Sequence, residues 1–302
     1  MPDAFSDRLL DAIDKTAAPV CVGIDPVLEN LPASIRDRCP SELTGTAAAV
    51  DCIYDFSLSV LKTVAGLTPI VKIQSAYFEK YQTDGVEAYH SLVHEARNLG
   101  LLVIGDVKRG DMSTTATAYA QGHVTDAAAP DAITINPMLG LGALMPFVTA
   151  ANAASRGLFV LVRTSNPDSA MLQDVKLADG RTWSEMLAEE LNKLAGEHIG
   201  RRGYSLIGAV VGATQESAMA AMRARLPRSI LLLPGYGAQG ATAAMTRAAF
   251  QNGTGAIVSA SRSVIFAHAE PKYSSRFGGN WQKCVEQSLL DMKQDLKQVL
   301  GG

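Results

Sequence analysis

Short apolar runs recur along the chain at 20–25, 69–74, 101–106, 131–135, 158–163, 206–211, 230–234 and 256–260. Each is five or six residues long, with little strict alternation of apolar and polar positions. Strands buried on both faces of a parallel sheet read this way, because neither face meets water. Between the runs lie stretches of helical period. In 46–65, Val50, Ile53, Tyr54, Leu58, Leu61 and Ala65 fall on one stripe. In 84–99, Val86, Tyr89, Val93, Ala96 and Leu99 do so less cleanly. Phe5, Leu9, Leu10 and Ile13 predict a short amphipathic helix before the first run. Trp281, Val285, Leu289, Met292, Leu296 and Val299, spaced 4, 4, 3, 4 and 3, predict another after the last.

The run starts are separated by 49, 32, 30, 27, 48, 24 and 26 residues. Five of these intervals fit one strand–loop–helix–loop unit. The two long ones predict insertions near 26–45 and 165–200, the second with a charged helical stretch from Trp183 to Glu197. Eight such units with packed end helices predict a single (β/α)8 TIM barrel over residues 1–302, of the α/β class. An open doubly wound sheet is the alternative, but the loop after the first strand is VGIDPVLEN and lacks the GxGxxG fingerprint.

Composition narrows the partners. With 27 Lys and Arg against 30 Asp and Glu, the net charge of −3 provides no basic field for nucleic acid or an anionic membrane. No apolar run approaches the roughly 20 residues that span a bilayer, and MPDAFSDRLL lacks the basic and apolar regions of a secretory signal. The four cysteines, Cys21, Cys39, Cys52 and Cys284, form no CxxC pair. We therefore expect a reducing cytoplasm, no zinc site and no disulfide framework.

Active sites of such barrels stand at the C-terminal ends of the strands. There the first strand ends at Asp25, the second carries Lys72 and the third runs into Asp106-Val107-Lys108-Arg109-Gly110-Asp111. Asp106 and Lys108, two apart, share the face toward the barrel mouth. Lys72 on the neighbouring strand can face the same space, and the set alternates in sign. Charges this close to an apolar core are costly unless paired, and such clusters in clefts are candidates for function. The competing reading is a salt-bridge network that only fixes the rim. After the seventh strand, Gly235, Gly237 and Gly240 leave backbone N–H groups accessible beside Gln239, and Arg262 follows the eighth. Loops in these positions often bind phosphate; the plainer reading is turn glycines alone.

The motifs GIDP at 23–26, VKIQSAYFE at 71–79, DVKRGDMSTT at 106–115, RTSNPDS at 163–169, LLLPGYGAQG at 231–240 and SASRS at 259–263 stand at these strand ends. Together they resemble the signature of the orotidine 5′-phosphate decarboxylases. These occur in the family's order, and the length and insertions resemble its longer, second branch. The resemblance implies decarboxylation of orotidine 5′-phosphate to UMP in pyrimidine biosynthesis, with no cofactor and no metal. It assigns Lys108 as the acid that protonates C6 and Asp106 a place beside the departing carboxylate. It gives Lys72 and Asp25 to the network and the ribose hydroxyls, and Ser165 to the pyrimidine. Gln239 and Arg262 would hold the phosphate, with backbone N–H groups near Gly237 and Ser261. Asp111 and Thr115, next to Thr114, would come from the partner subunit of a homodimer with shared active sites. Met112 stands where an aliphatic residue is usual.

Three rivals share parts of this pattern. A metal-dependent sugar-phosphate decarboxylase or aldolase would want a Glu near the end of the second strand, where this chain has Lys72 and Gln74. A Schiff-base aldolase would need Lys108 uncharged, which two nearby aspartates oppose. A non-catalytic phosphate-ligand-binding barrel would not need the alternating Lys–Asp set. Elsewhere, His90 and His94 read as an ordinary surface or half-buried pair. Arg201-Arg202 and Lys293/Lys297 read as solvated, and Tyr77 and Phe78 as packing. Arg163 could pair with a carboxylate in the pocket and has no assigned role.

Overall fold

The computed structural model describes residues 3–38, 47–213 and 216–301. Eight strands appear where the apolar runs predict them: β1 Val20–Ile24, β2 Ile70–Gln74, β3 Leu102–Arg109, β4 Ala132–Ile135, β5 Gly157–Arg163, β6 Ile207–Val211, β7 Leu231–Pro234 and β8 Ala256–Ala260. They close in sequence order into a parallel barrel, and β1 pairs with β8 through Val20 opposite Val258. Helices alternate with the strands. The (β/α)8 expectation therefore stands, and the open sheet does not. Among the described residues, no helix is long and apolar enough to cross a membrane.

The barrel interior and its outer shell are packed separately. Val20, Val22, Val71, Val103 and Val258 point outward into the layer between strands and helices. Cys21, Ile70, Ile104, Phe159, Leu232 and Ile257 fill the interior with Phe5, Leu9 and Leu10 of the first helix, Phe5–Thr16. That helix plugs the end of the barrel opposite the strand C-termini. Phe5 meets Phe159 edge-on at 6.0 Å. Gly157 makes room for it, since a Cβ there would lie 2.1 Å from the Phe5 ring.

Charge holds the plug in place. Asp7 accepts hydrogen bonds from the backbone N–H groups of Arg201 and Arg202 at 2.9 and 2.7 Å. The Arg202 guanidinium reaches Asp11 at 2.9 Å and Asp14 at 2.7 Å. This corrects the reading of Arg201-Arg202 as merely solvated. Lys293 likewise donates to the Leu67 carbonyl at 2.9 Å. The last helix, Trp281–Leu300, lays Trp281 against Phe56, which stacks on Phe266. One stripe differs from the pattern: Val86 is exposed, and Gly85, Ala88, Tyr89, Leu92, Val93 and Ala96 form the buried face of Gln82–Asn98.

In the first long interval, a single turn at Leu28–Asn30 and a short helix Ala33–Arg36 precede the barrel helix Ala47–Val64. The rest of that expected insertion, 39–45, lies outside the described residues. In the second, two short turns at Pro167–Ser169 and Ala170–Gln173 lead into Trp183–Ala195. Thr182 and Glu185 cap that helix reciprocally. Arg163 pairs with a carboxylate outside the pocket: it grips Asp174 through two bonds of 2.8 and 2.9 Å and ties the inserted turns to β5. Among the described residues, Cys21 and Cys284 are free and buried, and Cys52 alone is disulfide-bonded, which is not a framework.

Truncating the plug should cost stability and leave chemistry intact. Phe5→Ala is expected to lower unfolding free energy by about 3–5 kcal/mol. Its turnover number below the melting transition should match the wild type. Urea unfolding and steady-state kinetics on the same preparation check both, and an unchanged urea midpoint would contradict the plug.

Candidate active site

At the strand C-termini the barrel opens into a cavity of about 790 Å³. Its floor is a charge network around Asp106, a carboxylate only 6% exposed. Lys72 donates to Asp106 Oδ2 at 2.8 Å, and Lys108 donates to Oδ1 at 2.7 Å. Gln74, level with Asp106 across the β2–β3 ladder, adds a third donor to Oδ2 at 3.0 Å. The Thr134 hydroxyl of β4 gives Oδ1 its second, at 2.8 Å. Asp25 lies 3.9 Å from the Lys72 ammonium, and its Oδ1 is buried without a hydrogen-bond partner.

Burial alone would push the Asp106 carboxyl up, but the two ammonium groups outweigh it and hold it well below the usual carboxylate range. Burial works against the Lys72 ammonium too, and Asp106 and Asp25 overcome it and raise its pKa. Both groups therefore stay charged at neutral pH.

Lys108 does not reach this network by simple strand alternation. The β3–β4 register shifts between Gly105 and Arg109, and Lys108 has φ of +45°. Its N–H turns from the ladder to the Thr134 hydroxyl, 2.9 Å away. A non-glycine residue in this region costs on the order of 1 kcal/mol or more, and such strain concentrates at functional sites. Thr134 thus fixes both the backbone of Lys108 and the carboxylate that Lys108 contacts. The sequence hint was slight, a single hydroxyl among the apolar residues that follow Asp131 in DAITI.

The rim is built from loops. Ser165 follows β5, Gln239 follows β7, and Ser261 and Arg262 follow β8; all four line the cavity. Ser261 Oγ is buried without a partner. Among the described residues, no hydrogen bond or ion pair engages the side chains of Gln239 or Arg262. Gly237 faces away from this cavity and lines a second one behind the loop. Its φ of +70° and the Ser263 side chain about 3 Å from where a Cβ would stand both require glycine. Tyr77 packs against the core as read and also lines the cavity, and Phe78 is buried as expected. Trp183 and Gln173 of the long β5–β6 connection also line the wall, and neither was singled out from sequence.

Asp111 and Thr115 are not brought to the cavity. Asp111 accepts from the Met112 N–H at 2.7 Å and makes no ion pair among the described residues. Thr115 is exposed on the helix Ser113–Ala120. Nor does any group of three or more His, Cys, Asp or Glu gather among the described residues to hold a metal.

A closed barrel whose mouth holds a Lys–Asp–Lys charge network, with the Gln239 and Arg262 side chains unengaged on the last two loops, has the architecture of a barrel enzyme. The family model for orotidine 5′-phosphate decarboxylase / HUMPS matches residues 18–276, and the chain belongs to that family. It is 39% identical to the orotidine 5′-phosphate decarboxylase of Rhodopirellula baltica over 97% of this chain and 99% of that one. It is 31% identical to that of Clostridium perfringens over 98% and 99%. The crystal structure of a putative orotidine 5′-phosphate decarboxylase from Streptomyces avermitilis superposes with a TM-score of 0.80 at 29% identity, over 99% of this chain and 97% of that one.

The network predicts a pH profile for stability. Asp106 is held below its unfolded value, so its contribution is present above about pH 4 and fades as pH falls further. Lys72 is held above its own, so its contribution is present below about pH 10.5 and is lost as pH rises through the raised value. The difference in unfolding free energy between wild type and a Lys72→Met/Asp106→Leu double variant should therefore be flat from about pH 5 to about pH 9. A clear slope inside that window, measured by urea unfolding, would mean that one of the two charges titrates there.

Proposed function

We propose that this protein converts orotidine 5′-phosphate to UMP without metal or organic cofactor, in the cytoplasm, in pyrimidine biosynthesis. The observation that carries the reading is the Lys72–Asp106–Lys108 floor, two ammonium groups on one buried carboxylate. Breaking the bond from C6 to its carboxylate releases CO2 and leaves an electron pair on C6 that the ring delocalises poorly. Lys108 stabilises that charge as it develops and transfers a proton from Nζ to C6, then regains a proton from water. Asp106 stands beside the departing carboxylate and keeps the Lys108 ammonium aimed. Asp25 and Lys72 take the ribose hydroxyls, and the Asp25 Oδ1, near Lys72 but without a hydrogen-bond partner, supports this. Ser165 bonds the pyrimidine. Gln239 and Arg262 hold the phosphate, with Ser261 assisting; Gly237, whose N–H bonds Ala241 behind the loop, does not. Holding the phosphate, remote from the reacting carbon, supplies energy that aligns the ring.

Asp111 and Thr115 complete the site of the neighbouring subunit in a homodimer. Support comes from the apolar surface beside them. Met112 and Met138 are each 60% exposed, and Leu139, Met145 and Tyr119 are exposed on the adjoining elements. Met138 also lines the cavity, so the patch runs into the site. Exposed apolar groups gathered in this way mark an interaction surface.

The direct test is the fall in ultraviolet absorbance when purified protein meets orotidine 5′-phosphate, before and after exhaustive chelation. Turnover should survive chelation. No change with folded protein would refute the reading, and loss restored by magnesium would favour the sugar-phosphate rival.

The shared site has its own test. Lys108→Ala should lower kcat by at least about a hundredfold while phosphate-anchored binding persists. Mixing Lys108→Ala with Asp111→Ala under subunit exchange yields heterodimers with one site carrying both lesions and one carrying neither. About half the dimers are mixed, so roughly a quarter of wild-type activity should return. Activity that stays at the level of the separate variants, despite proven exchange, places Asp111 in its own chain's site.

A further inference from the structure

The loop that follows β7 is a thin wall. On one side Gly235, Ala238 and Gln239 face the active-site cavity. On the other lies a second cavity of about 890 Å³, bounded by that loop and the last helix, Trp281–Leu300. Tyr236, Ala238 and Arg262 border both. The wall therefore has open space behind part of it, while Tyr236 and Ala241 pack against the core. Its backbone is not stiff: Gly235, Gly237 and Gly240 have φ of 115°, 70° and 85°, and glycine is the residue with most freedom to leave such angles. The backbone bonds that shape it run within the loop, Gly237 to Ala241, Gly240 to Gly237 and Ala241 to Gly235. They set its curl, and contacts of Gly237 with Ser263 and of Ala241 with the core seat its two ends. One side-chain bond crosses the gap. The Tyr236 hydroxyl donates to Asp295 Oδ2 at 2.8 Å, spanning 59 residues of sequence.

We propose that Tyr236 and Asp295 are positioning residues, a strut from the C-terminal helix that holds the β7 loop at the depth where Gln239 meets the substrate phosphate. The inference rests on the phosphate-binding reading given above. Neither residue is called on to touch the reacting carbon. A hydrogen bond to a charged acceptor is among the stronger ones a protein makes. The aromatic ring gives it reach across the space, and burial pushes the Tyr236 hydroxyl pKa up, with Asp295 reinforcing the shift, so the phenol remains a donor. The last helix thereby acts on the binding site without lining it.

The experiment compares wild type, Tyr236→Phe, Asp295→Ala, which removes the acceptor, and the double variant, each as the full chain, on two substrates. Orotidine 5′-phosphate carries the group the loop grips. Orotidine has the same ring and ribose without it. Each single variant is expected to raise KM for orotidine 5′-phosphate about five- to tenfold with kcat within twofold, consistent with one charge-assisted hydrogen bond. The double variant should be no worse than either single, because one bond is lost in all three. Activity on orotidine should be unchanged. Unaltered KM in the single variants, additive losses in the double, or an equal loss on orotidine would each overturn the strut. A wild-type protein inert toward orotidine 5′-phosphate would sink the functional reading itself, and this inference with it. Unaffected variants of an active enzyme would sink the strut alone.

Discussion

A carboxylate with almost no access to water sits at the mouth of an apolar barrel, and the architecture above it is arranged around keeping that charge. Moving such an ion out of water costs several kcal/mol even after relaxation, and removing one member of a buried pair costs about 3–5 kcal/mol. Asp106 escapes that cost because four donors from three adjacent strands converge on its two oxygens. Parallel strands in register make the convergence possible: β2 brings Lys72 and Gln74 alongside, and β4 brings Thr134. The same geometry aims Lys108, which is half exposed on the cavity side and therefore available to a ligand.

The floor and the rim differ in how they are held. The floor is built into paired strands, where ladder bonds and packing fix its members, except that Lys108 is held by its N–H bond to Thr134 and its contact with Asp106. The rim is built from loops, each fastened by a few side chains. Arg163 on Asp174 secures the connection after β5, and Tyr236 on Asp295 secures the one after β7. A rigid charge centre under adjustable binding loops suits a site that grips a substrate by one end and reacts at the other.

The strands, their closure and most of the site residues could be read from the sequence because each depends on local pattern. Asp106 and Lys108 are neighbours in one motif, and Gln239 and Arg262 stand at strand ends. What escaped depends on distance. Thr134 matters only because a left-handed Lys108 turns its N–H toward it, and no period-two rule anticipates that turn. Arg201 and Arg202 looked like ordinary surface charges, since Asp7, Asp11 and Asp14 lie some 190 positions away. Trp183 reads as the start of an amphipathic helix, and only the path of the preceding turns carries it to the cavity wall. Val86 misled in the opposite sense: a single apolar residue fits a helical period as easily outside as inside.

The closure of β1 onto β8 has a consequence for synthesis. The first strand leaves the ribosome with its partner Val258 still to be made, nearly 240 residues later. At about 5–20 residues per second, that edge waits roughly ten to fifty seconds for its neighbour. The N-terminal helix waits almost as long for the segment around Arg202 that clamps it. During that interval a growing half-barrel presents an unpaired apolar edge, the kind of surface that recruits stray strands. The nascent chain is thus most vulnerable just before completion, and its dependence on chaperones should track the pace of translation through the last two strands.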